Sequence, residues 1–159
     1  MRLAWPEPRC LRKSESSARI GTRSGSPPAA IDSECQCHRF RALTSDEITR
    51  WWVRPGVFDT RQWTGDVRVG GQWQATGMAR GKPYRLSGEF LEVDPPRRLA
   101  HTWCLEGGPA TPTTVIFELE ALPGGTRLTL RHEGFAEPDF CTANRVGWET
   151  SFAKLKEIL

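Results

Sequence analysis

A chain of 159 residues with 38% hydrophobic and 26% charged side chains has the size and make-up of one ordinary soluble domain. It contains no run near the ~20 apolar residues of a membrane span and opens without an apolar signal core, so the sequence predicts a cytoplasmic protein with no membrane span. The net charge of +3 sits in residues 1–40, while residues 41–159 carry 15 basic and 15 acidic side chains, which leaves no electrostatic footprint for nucleic acid.

Residues 1–38 are rich in Ser, Gly, Pro and Arg and show neither helical nor strand period, so a poorly ordered segment is expected there, followed by one domain over 39–159. Phe40-Arg41-Ala42-Leu43 closes a short helix. Thr44-Ser45-Asp46-Glu47 then offers a cap and acids ahead of Ile48, Trp51 and Trp52, and Pro55-Gly56 stops that turn. Six strand signals follow, punctuated by Gly/Pro turns: Thr60–Val69, Gln72–Ala79, Tyr84–Val93, Arg98–Leu105, Thr113–Ala121 and Thr126–His132. Period two puts Leu99, His101 and Trp103 on one face, together with Val115, Phe117 and Leu119 and with Leu128, Leu130 and His132. The third strand fits two parities, Tyr84, Leu86, Gly88 and Phe90 against Leu91 and Val93, and Gly88 is a candidate for a bulge. After Pro138-Asp139, Trp148, Phe152, Leu155 and Leu159 fall at spacings of four, three and four, one stripe of a long amphipathic helix. An α+β arrangement follows, a curved antiparallel sheet of six to seven strands around a long C-terminal helix.

Motifs of phosphate or metal chemistry fail on spacing. In Gly77-Met78-Ala79-Arg80-Gly81-Lys82-Pro83 the glycines are one residue too close for a phosphate loop, and Pro83 stands where a hydroxyl is needed, so it reads as a hairpin turn. Cys35-Gln36-Cys37-His38 lacks a second ligand pair. No cofactor and no metal are expected.

Several phrases occur in a fixed order: Leu43-Thr44-Ser45-Asp46-Glu47, Trp51-Trp52, Arg68-Val69-Gly70-Gly71-Gln72-Trp73, Gly88 through Leu99, Thr102-Trp103, Thr126 through Phe135, and Gly147-Trp148-Glu149 through Leu155. Over residues 40–159 this resembles the bacterial proteins similar to the C-terminal domain of the activator of Hsp90 ATPase, within the START-like, Bet v 1-like (SRPBCC) superfamily. The resemblance implies a helix-grip fold with a cavity between sheet and helix. It also implies a first strand, for which residues 1–38 offer no alternating run.

Candidate lining residues for such a cavity are Trp51, Trp52, Trp73, Phe90, His101, Trp103, Phe117, Leu130, His132, Trp148 and Phe152. They suit a small hydrophobic ligand, held in an apolar cavity with a few polar groups. No catalytic constellation is recognisable. Two further readings stand beside simple binding. One is a chaperone partner of Hsp90 type. The other is an aromatase/cyclase-like enzyme, with His132 as its acid or base.

Overall fold

The computed structural model describes residues 13–21, 36–123 and 125–159. One antiparallel sheet of eight strands, in the order β1-β8-β7-β6-β5-β4-β3-β2, curls around a C-terminal helix, the helix-grip arrangement. Its strands are β1 (Lys13–Gly21), β2 (Val53–Arg54), β3 (Phe58–Gly65), β4 (Gln72–Ala79), β5 (Lys82–Asp94), β6 (Arg98–Leu105), β7 (Thr113–Leu122) and β8 (Gly125–Glu133). A helix over residues 36–42 (α1), a single turn Ile48–Trp51 (α2) and the long helix Pro138–Ile158 (α3) complete the fold.

The six strands expected from the sequence are β3 to β8, and the sheet gains one strand at each edge. Strand β1 lies within the segment for which poor order was expected. It pairs with β8 over nine residues, from Lys13 opposite Glu133 to Gly21 opposite Gly125. Its sequence, Lys-Ser-Glu-Ser-Ser-Ala-Arg-Ile-Gly, has no alternating pattern, so its register comes from backbone pairing with β8. The rest of residues 1–35 lies outside the described residues.

The double parity of the third predicted strand has a physical cause. Phe90 stands opposite His101 and Glu92 opposite Ala100, so Leu91 is an extra residue bulged out of β5. Before the bulge Leu86 and Phe90 point inward, and Leu91 itself is exposed. The bulge lies at Leu91, three residues past the glycine that hinted at it.

Helix α3 begins on an extended Glu137 with Pro138 at its first position, where a missing N–H costs nothing, and ends with Lys156 in its last turn. It buries Cys141, Trp148, Ser151, Phe152 and Leu155 against the sheet and α2. The core mixes aromatic and aliphatic side chains: Trp51, Phe90, Leu99, Val115, Leu128, Leu130 and Leu155 are all fully buried. Each such side chain contributes roughly 1.5–3 kcal/mol through removal from water. On the outer face a ladder of opposite charges crosses four strands, from Glu92 through Arg98 and Glu118 to Arg131. Its members are partly exposed, and ladders of this kind fix strand register more than they stabilise.

Candidate functional site

Two polar networks hold the interior, and each fixes the state of one histidine. The first centres on the carbonyl of Thr102 in β6. It accepts the indole N–H of Trp73 at 3.1 Å and the Nδ1–H of His101 at 3.0 Å. A carbonyl only accepts, so His101 carries its proton on Nδ1. This carbonyl is free because the β5–β6 ladder opens at Gly88 and Glu89, where the Glu89 N–H turns instead to the Thr102 hydroxyl at 2.8 Å. Only glycine permits it: a Cβ at Gly88 would lie 1.9 Å from Thr102 O and 2.5 Å from Trp73 Nε1. Burial pushes the His101 pKa down to about 4.

The second network ties helix to sheet. Trp148 of α3 donates its indole N–H to His132 Nδ1 at 3.0 Å. An indole N–H can only donate, so Nδ1 is the bare nitrogen and Nε2 carries the proton. Nε2 donates to Thr113 Oγ1 at 2.7 Å, and the Thr113 hydroxyl donates to the Trp103 carbonyl at 3.1 Å. The relay runs from α3 through β8 and β7 to β6. His132 is fully buried, and burial, with the neighbouring His101 as a lesser cause, lowers its pKa to about 3. Both ring nitrogens are committed, so the imidazole has nothing left to offer a substrate.

Between sheet and helix lie two spaces of very different size. The inner one, bordered by Trp51, Trp73, Phe90, His101 and Phe117, is about 20 Å³, room for roughly one water. The outer one is about 420 Å³ and opens between the first half of α3 and strands β3 to β6. Trp52 and Trp148 border both, and they stack with ring centroids 5.3 Å apart and planes 12° from parallel. The stacked pair is the wall between the two spaces.

The expected lining residues therefore separate into three groups. Trp52, Trp103 and Trp148 border the outer pocket. Trp51, Trp73, Phe90, His101 and Phe117 border only the one-water space. Leu130, His132 and Phe152 belong to the packed core. The broad hollow expected beside the helix is in its inner part filled with aromatic rings, and the usable space lies toward the open end of the grip.

The outer pocket draws on residues that the sequence reading did not single out. Phe140, Ala143, Asn144 and Gly147 form its helical wall, a second stripe of α3 beside the buried one, and the small side chains of Ala143 and Gly147 leave the space open. Tyr84 and Leu86 were legible as inward positions of β5, whereas Val57, Phe58 and Arg80 stand in or next to turns and had no periodic signal. Polar groups in this wall are few. Tyr84 donates its O–H to Thr60 Oγ1 at 2.7 Å, since the Thr60 hydroxyl is itself spent on the Trp52 carbonyl at 2.7 Å. Burial raises the Tyr84 pKa and keeps the phenol protonated. Asn144 donates to the Phe140 carbonyl at 2.9 Å, which leaves its side-chain oxygen as an acceptor. Trp103 differs: its indole N–H is buried and has no partner among the described residues.

The model of the family described as activator of Hsp90 ATPase homolog 1-like protein matches residues 40–159. In fold the chain is similar to a crystal structure from Chromobacterium violaceum, at 21% identity over 92% of this chain and 96% of that one, TM-score 0.73. A crystal structure from Nitrosomonas europaea is similar at 22% identity over 93% and 94%, TM-score 0.70. CalU16 from Micromonospora echinospora is similar at 25% identity over 90% and 83%, TM-score 0.55. No protein of curated function matches the chain.

Proposed function

The chain belongs to the activator of Hsp90 ATPase homolog 1-like family, and from there we propose that it binds a small hydrophobic molecule in the outer pocket between α3 and strands β3 to β6. The observation that carries this reading is the space of about 420 Å³ itself, whose wall is largely apolar and aromatic, with Trp52, Trp103, Phe140 and Trp148 among its residues. The volume falls within the range of about 300–1,000 Å³ usual for small-molecule sites.

The other two readings have less under them. A chaperone partner is supported by the family description. Exposed large hydrophobics among the described residues are limited to Val69 and Leu91, against the roughly 20–30 residues a side of a standard interface. An aromatase/cyclase chemistry built on His132 would need an imidazole open to substrate and poised near neutral pH, and both nitrogens are bonded and buried.

Ala143 is exposed on the helical wall, so Ala143→Phe fits the fold and fills the pocket. In a thermal-shift screen of medium-chain lipids and flat aromatics, the wild type should gain stability with at least one compound. At a hundredfold excess over Kd the gain is about 2.7 kcal/mol. Ala143→Phe should lose it. Stabilisation that survives undiminished in the variant, or none in the wild type, counts against the pocket.

A further inference from the structure

We infer that the ligand of this pocket is an anion, an apolar body carrying one carboxylate or similar acidic head, with Arg80 as its anchor at the mouth; this rests on the pocket reading above. Among the described residues no acidic side chain lines the pocket, and Arg80 is the single ionised group in its wall. Arg80 is exposed at the tip of the β4–β5 hairpin and forms no ion pair with the described acids. Asp59 shares a neighbouring surface groove with Arg80. Its two oxygens are already engaged, Oδ1 by the Met78 N–H at 2.9 Å and Oδ2 by Arg61 Nε at 3.1 Å.

The backbone supplies an independent reason to single out Arg80. The hairpin turns through two residues, with Ala79 paired to Lys82, and both turn residues have positive φ: 49° at Arg80 and 77° at Gly81. Two-residue turns of this kind favour Asn-Gly, Asp-Gly or Gly-Gly. Arg80 is the only non-glycine residue with positive φ among those described. A long cation thus occupies a position that local conformation assigns to a small residue, the local conflict that functional positions carry. A guanidinium there meets a carboxylate through two parallel hydrogen bonds while the apolar body lies against Phe58, Trp52 and Trp148.

Arg80→Asn separates the two effects, because asparagine suits the turn and removes the charge. The probes are 2-naphthoate, the neutral 2-naphthalenemethanol and 2-naphthylmethylammonium, titrated by tryptophan fluorescence and calorimetry at low salt. Wild-type protein should bind naphthoate at least about tenfold tighter than the alcohol, with the ammonium weakest. In Arg80→Asn the preference should vanish while the alcohol binds as before and Tm rises. An alcohol that binds as tightly as naphthoate, or a preference that persists in Arg80→Asn, overturns the anion assignment and leaves the pocket reading intact. Binding of none of the three overturns both.

Discussion

Lowering the pH from about 7 to about 5 is expected to cost the folded protein about 4 kcal/mol, a large share of the roughly 5–15 kcal/mol stability of an ordinary domain. The cause is the pair of buried histidines. An imidazole in the unfolded chain titrates near 6.5, whereas burial lowers His101 to about 4 and His132 to about 3. Below pH 6.5 the unfolded chain takes up protons that the folded chain refuses, so the stability these groups contribute is complete above 6.5 and is lost as pH falls toward the folded values. Each contributes close to 1.36 kcal/mol per pH unit over that window. Protonation at His132 also needs a bond to break, because Nδ1 is the acceptor for Trp148. Urea denaturation at half-unit steps of pH checks this. A free energy of unfolding that stays level between pH 7 and 5 would mean that both rings charge freely in the native state, and a fall of about half that size that one of them does.

Gly88→Ala is expected to destabilise by about 3 kcal/mol, from overpacking and from a buried carbonyl that loses its donors. The added methyl would meet Thr102 O at 1.9 Å and Trp73 Nε1 at 2.5 Å. Neither can yield cheaply, since the carbonyl is backbone and the indole is wedged between Trp52 and His101, with centroids at 6.3 Å and 4.8 Å. The damage should show in near-ultraviolet circular dichroism as a change in the tryptophan bands, with the midpoint of denaturation lowered. A variant as stable as the wild type would show that Thr102 and Trp73 can separate without cost.

Much of this architecture was legible in the sequence because one face of the sheet is buried. Leu99, His101 and Trp103, or Leu128, Leu130 and His132, alternate with their neighbours, so strand and face follow from period two. β1 was not legible, since Ser14 through Ile20 carry no alternation and the pairing with β8 is made by backbone groups common to every residue. The site was read only in part. Aromatic content marks an apolar interior but does not tell filled space from empty, and Trp51, Phe90 and Phe117 fill theirs. The pocket arises where side chains are small, at Ala143 and Gly147, and where a turn delivers Arg80, and neither leaves a periodic trace. His132 reads from the sequence as an inward polar group that a neighbouring hydroxyl, a water or a ligand satisfies, without saying which. Its partners Thr113 and Trp148 lie 19 and 16 residues away in the chain, a distance at which sequence pattern is blind.

The most direct test follows the indole N–H resonances of the tryptophans while 2-naphthoate is added. Trp51 and Trp73 border only the inner space, so their signals should hold nearly still. Trp52, Trp103 and Trp148 border the outer pocket, so the ring current of a naphthalene lying against them should move their signals. If binding saturates and these signals have not moved, the ligand sits elsewhere and the pocket is not the binding site.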